Sequence, residues 1–133
     1  MACHAVRRAQ VVPASSCLVI GAGAVGLLCA AVARFKGCSK IAICDIDKRR
    51  VDFALQNGFA QIGLTVERRV ATNIEEELAN ARALARDIGD LIWPESGSAG
   101  RFSIVFECTG VPSCVQSSIY VSGALYLNYL TIY

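Results

Sequence analysis

Apolar positions along this chain fall into short continuous runs, separated by glycine and by segments whose apolar residues recur at helical spacing. Cys17-Leu18-Val19-Ile20, Ile41-Ala42-Ile43-Cys44 and Ser103-Ile104-Val105-Phe106 are runs of this kind. Runs so short and so uniformly apolar predict strands buried on both faces, as in a parallel sheet. Ala60–Leu64 is a weaker candidate for the third strand. Between them the spacing predicts helices. Ala2, Ala5, Val6 and Ala9 mark the end of one, stopped before Pro13. Ala24–Lys36 is a second, with Gly26, Ala30 and Ala33 forming a small-residue face and Gly37 placed for a left-handed cap. Asp47 can cap a third, from Lys48 to about Asn57. Asn73 can cap a fourth through Glu75–Arg86, extending as far as Trp93. Val111–Tyr120 gives a fifth after Gly110. Strands alternating with helices predict a parallel sheet covered on both faces.

Composition narrows the classes. A length of 133 residues suits one domain, and 54% apolar residues exclude a disordered chain. Thirteen basic and 11 acidic side chains leave a net charge of only +2. No basic run exceeds Lys48-Arg49-Arg50, which argues against nucleic acid or a polybasic membrane patch as partner. The stretch Ala9–Ala33 carries no charge and superficially suggests a signal peptide or a spanning helix. Gln10, Pro13, Ser15, Ser16 and three glycines interrupt it, so no membrane span is expected. The seven cysteines are dispersed, with no Cys-x-x-Cys pair, and most sit among aliphatic residues. That usage fits buried free thiols in a reducing compartment, and a cytoplasmic location is expected. The one histidine, His4, has only Cys3 near it as a second ligand, so it is read as a packing residue and no metal site is assigned.

Gly21-Ala22-Gly23-Ala24-Val25-Gly26 fits G-x-G-x-x-G, following a predicted strand and opening a predicted helix. In that context Gly21 permits the tight turn, Gly23 lets a pyrophosphate approach the backbone, and Gly26 lets helix and strand pack closely. The helix start offers unpaired N–H groups to a phosphate. Asp45 ends the second strand 19 residues after Gly26. An acidic side chain there can accept hydrogen bonds from the adenosine ribose, although a turn or capping role is the alternative, for which Asp47 is better placed. A carboxylate at Asp45 would repel the extra phosphate of NADP by roughly 4 kcal/mol at about 4 Å and an effective dielectric of 20. The expected cofactor is therefore NAD, with Arg50 alongside its ribose. Lys48 and Arg49 read as a solvated face. The fold class is α/β, a Rossmann-type doubly wound parallel sheet, incomplete at about four to five strands.

Three stretches resemble the cofactor domain of zinc-type medium-chain dehydrogenases, within them the sorbitol or polyol branch: His4–Ala9, Cys17–Asp45, and Phe106-Glu107-Cys108-Thr109-Gly110 with Val115–Tyr120. The resemblance implies NAD-dependent oxidation of a secondary alcohol, with a catalytic zinc polarising the alkoxide. By matching positions it implies that Gly21, Gly23, Ala24, Val25 and Gly26 cradle the pyrophosphate, that Asp45 and Arg50 hold the ribose, and that Cys108, Thr109 and Gly110 border the cofactor. Glu107 is given no chemical role. The region around Glu67–Gly100 is longer than the resemblance leads one to expect. Zinc is implied only for a catalytic domain that this chain lacks, so the chain is expected to be a truncated or alternatively spliced product, inactive as an isolated fragment. Residues 1–16 read as an interdomain helix and linker, 17–121 as the NAD-binding domain, and 122–133 as an atypical tail in which Ala124–Tyr133 can form one strand. The partners expected are NAD, a small polyol or alcohol in the full-length form, and a second copy of the chain in a homo-oligomer. A non-catalytic NAD-binding module is the alternative. An S-adenosylmethionine-dependent methyltransferase is a second alternative, weakened because Leu18-Val19-Ile20 supplies no acidic residue just before the glycines.

Overall fold

The computed structural model describes residues 1–92, 97, 102–122 and 128–131. Along the chain run α1 (Ala2–Arg8), β1 (Ser16–Ile20), α2 (Ala24–Phe35), β2 (Lys40–Asp45), α3 (Lys48–Gln56), β3 (Ile62–Thr65), α4 (Ile74–Gly89), β4 (Ile104–Glu107), α5 (Pro112–Ser122) and β5 (Asn128–Thr131). The strands form one sheet in the order β3-β2-β1-β4-β5, and every pairing is parallel. Successive crossovers thus move outward on one side, β1 to β2 to β3, and return to the other side of β1 at β4. The switch point lies between β1 and β4, where a doubly wound sheet opens its crevice.

The continuous apolar runs have a simple cause. Successive strand side chains point to opposite faces, and here both faces are covered. Cys17, Val19, Ile41, Ile43, Ile104 and Phe106 pack with Val6, Cys29, Ala30 and Ala54 from α1, α2 and α3. Leu18, Ile20, Ala42, Cys44 and Val105 face the other way, against Leu84 and Ile88 of α4 and Cys114 and Val121 of α5. α2 buries Gly26, Cys29, Ala30 and Ala33, the small face that lets it lie close to the sheet. Asp47 caps α3 by accepting from Arg49 N at 2.9 Å, and Asn73 caps α4 by accepting from Glu76 N at 2.9 Å. Gly37, at φ +96°, takes the left-handed turn after α2.

Differences from the sequence reading sit at ends and edges. β3 begins at Ile62; just before it Gln61 meets β2 twice, its backbone N donating to Ile41 O at 2.9 Å and its side-chain oxygen accepting from Ile41 N at 2.8 Å. α4 stops at Gly89, so it does not run on to Trp93, which lies outside the described residues along with most of the Pro94–Gly100 stretch. His4 is exposed, and the packing falls instead to Ala2, Ala5 and Val6 on the opposite face of α1. Beyond Tyr120, α5 continues to Ser122 and residues 128–131 pair with β4. Among the described residues no helix is long and apolar enough to cross a membrane.

Candidate functional site

A cleft of about 640 Å³ opens over the carboxyl ends of β1, β2 and β4, at the switch point. Gly21, Gly23, Asp45, Arg50, Cys108 and Thr109 line it, so two distant segments of sequence meet the glycine turn there. Ala24, Val25, Gly26 and Gly110 do not line it. Ala24 is exposed, Val25 is packed against the core, and Gly26 is buried.

The three glycines carry different constraints. Gly21 has φ +103°, and a Cβ there would meet Thr109 Cγ2 at 2.9 Å, so the turn after β4 lies directly against it. A Cβ on Gly26 would come 1.8 Å from Gly21 O, which only glycine avoids. Gly23 differs. It caps α2 with φ −77°, an ordinary conformation, and a Cβ there would meet nothing within 4 Å. Nothing in the fold demands glycine at this position, and the space a side chain would fill is cleft. α2 has no side-chain N-cap, so the N–H groups of its first turn lack the usual partner.

Two acidic side chains fix the rims. Asp45 is 9% exposed. Its Oδ2 accepts from Ala22 N at 2.7 Å and its Oδ1 from Asp47 N at 2.8 Å. The carboxylate therefore ties the glycine turn to the end of β2 and keeps lone pairs for further donors. Asp45 thus performs the turn-forming role and also lines the cleft. Arg50 Nη1 stands 3.9 Å from Asp45 Oδ2 and remains more than half exposed. Across the crevice Glu107 is fully buried. It accepts from Thr109 N at 2.7 Å, from Gly110 N at 3.1 Å and from the Thr109 hydroxyl, so a charged acceptor gathers the turn that carries Cys108–Gly110. Glu107 is thus a structural carboxylate holding a cleft-lining loop.

Other cleft residues escaped the sequence reading. Val66–Val70, the segment leaving β3, forms one wall, with Arg69 paired to Asp87 at 3.7 Å. Cys44, Ser113 and Cys114 add to the floor. The available signal was positional: any segment leaving the carboxyl end of a strand borders the crevice of such a sheet. Burial pushes the Cys44 and Cys114 thiols up, and Cys108 is pushed up by its hydrogen bond with Cys29 and by burial. All three are therefore held as neutral thiols. Among the described residues no group of three His, Cys, Asp or Glu side chains is placed to hold a metal ion.

This architecture and this cleft define a dinucleotide-binding α/β fold of the Rossmann type. Comparison with known proteins sharpens the class. No protein-family model matches the chain. A D-xylulose reductase A of Aspergillus oryzae is 34% identical over 132 residues, covering 98% of this chain and 35% of that protein. A Neosartorya fischeri protein assigned by name to the same enzyme is 36% identical over 121 residues, covering 91% of this chain and 30% of its own length. The chain thus spans about a third of the curated relatives it matches. Among solved structures, a Sinorhizobium meliloti protein described as a zinc-binding dehydrogenase and bound to NADP superposes with a TM-score of 0.69 at 20% identity, over 98% of this chain and 34% of that one. The chain is therefore similar in sequence to a segment of proteins named D-xylulose reductase, and it shares its fold with part of a solved dehydrogenase that is bound to NADP.

Proposed function

We propose that this chain binds a nicotinamide dinucleotide, NAD in preference to NADP, as the cofactor region of a polyol or alcohol dehydrogenase. The observation that carries the reading is Gly23. Its bare Cα faces open cleft, its backbone is unstrained, and its missing side chain serves no packing purpose inside the fold. A ligand approaching the backbone explains a glycine there, and the start of α2 suits a diphosphate in charge and in hydrogen-bond donors. The residues present fit such a group. Gly21 and Gly23 leave room for the diphosphate, Asp45 offers its remaining lone pairs to ribose hydroxyls, and Arg50 lies beside it. Cys108 and Thr109 wall the far side. When bound, the nicotinamide ring accepts a hydride. This chain's own part is to hold the dinucleotide at the switch point and to shield it on two sides.

The preference for NAD is argued from Asp45, a buried and fixed carboxylate on the cleft wall that would repel a second phosphate on the adenosine ribose. In a zinc-type dehydrogenase a zinc ion would polarise the alcohol or carbonyl; the described residues group no such ligands, so no catalytic step is assigned to them. With NAD, zinc and sorbitol the isolated chain is expected to turn nothing over, and to act there as a binding module.

Titration calorimetry with NADH and NADPH tests the proposal. Gly23→Ser keeps a good N-cap residue and places an oxygen in the cleft. It should leave the melting temperature nearly unchanged while weakening NADH by about tenfold or more, equivalent to about 1.4 kcal/mol. Asp45→Asn should narrow the NADH-over-NADPH ratio, a readout that a purely structural Asp45 would not move. Folded protein that ignores millimolar NADH would refute the reading.

A further inference from the structure

We infer that Cys17 and Cys38 are a modification site: a dithiol that peroxide converts to a disulfide, fastening the start of β1 to the turn between α2 and β2. Their sulfurs lie 2.9 Å apart, less than 1 Å beyond the roughly 2.05 Å of a disulfide bond. The placement follows from the sheet. Ser16 pairs with Lys40 and Cys17 with Ile41, so Cys38 sits just before β2 beside the strand that carries Cys17. Cys38 Sγ also donates to Ser15 O at 3.0 Å and to Lys40 O at 3.3 Å, which holds its side chain toward β1. Cys29 and Cys108 also share a thiol–thiol hydrogen bond, so a link between them is the competing product that the test must separate.

The two thiols are unequal, as a stepwise oxidation needs. Cys38 is the more acidic, because Cys17 can donate a hydrogen bond to its thiolate and Arg34 stands near, while the same hydrogen bond and burial raise Cys17. Cys38 is buried, but its neighbours in the turn are not. Lys36, Gly37 and Ser39 beside it are exposed, and the turn is held at Gly37 by Ala14 N donating to Gly37 O at 3.3 Å. A small oxidant suits that access. The Cys38 thiolate attacks one peroxide oxygen, the O–O bond breaks and hydroxide leaves, giving a sulfenic acid. The Cys17 sulfur then attacks Cys38 Sγ, the S–O bond breaks, and the Cys17 proton departs with the hydroxyl as water. Two thiols and one peroxide give one disulfide and two waters.

The bond encloses the whole of the glycine turn and α2 between its ends, yet lies at the opposite end of β1 from the cleft. It should therefore constrain the unfolded chain and leave the dinucleotide site untouched. The test uses the full chain treated with hydrogen peroxide, alkylated after denaturation and digested without reductant. Two of the seven thiols should be lost and return with dithiothreitol. Trypsin isolates Cys38 in Gly37–Lys40 and releases Cys17 with Cys29 in Ala9–Arg34, so a joined peptide whose fragmentation places the link at Cys17 is the expected product. The oxidised protein should melt several degrees higher, and Cys38→Ser should lose that rise. A link between other cysteines, sulfinic acid at Cys38 without a link, or seven intact thiols under peroxide that consumes free cysteine would each overturn the inference. The peptide map of the unsubstituted protein decides this whether or not the variant folds.

Discussion

An alanine at Gly26 would bring its Cβ to 1.8 Å from Gly21 O, a contact that no side-chain adjustment relieves. Gly26→Ala is expected to cost about 3 kcal/mol, the upper part of the usual range for overpacking, measurable as a lower urea midpoint with an unchanged slope. Gly23→Ser should do the reverse, sparing stability and removing affinity, so adjacent glycines of one motif separate fold from binding. Glu107 offers a second contrast. Glu107→Ala strips the acceptor from Thr109 N and Gly110 N together and should destabilise by about 2–4 kcal/mol, whereas Glu107→Gln keeps one acceptor oxygen and should cost less. At this scale the motif glycines and Asp45 were legible, because their spacing and context carry the chemistry. Glu107 was not, since a carboxylate ending a buried strand looks alike whether it faces a ligand or its own loop. His4 was misread although the spacing of Ala2, Ala5, Val6 and Ala9 already marked the buried face and left His4 off it.

Among the elements, α4 has the most explicit start. Asn73 accepts from Glu76 N, and Glu76 Oε2 accepts in return from Thr72 N at 2.8 Å and from the Thr72 hydroxyl at 2.9 Å. These bonds hold the Glu76 carboxyl below its ordinary 4.5. A carboxylate depressed in the folded state lends stability above its unfolded value and loses it as pH falls through the folded one. The first turn of α4 is therefore expected to fray below the ordinary 4.5, seen as faster amide exchange at Glu76 and Glu77, and Glu76→Gln should abolish that pH dependence. Asn73→Ala should cost about 1 kcal/mol at neutral pH. Both caps were visible in sequence, as was the type of every element from α1 to α5. Strand limits were less so, and β3 shows why: just before its start Gln61 meets β2 through its side chain as well as its backbone, a contact that no pattern of apolar positions marks.

For the molecule as a whole, alternation of buried runs with helices was enough to anticipate a two-faced parallel sheet. The wall built from Val66–Val70 was not, because its one signal, its place after β3, depends on knowing where that strand ends. If the cleft takes a dinucleotide, NADH at a hundredfold excess over its dissociation constant should add about 2.7 kcal/mol to the unfolding free energy, read as a melting shift of several degrees that Gly23→Ser suppresses. The carboxylates of Asp45 and Glu107 have one more consequence. Each already clasps the backbone of its own rim, so the host surrenders little freedom when a guest arrives. Association should then proceed in a single kinetic phase, its rate climbing linearly with NADH concentration, and the accompanying change in heat capacity should reflect only the surface covered.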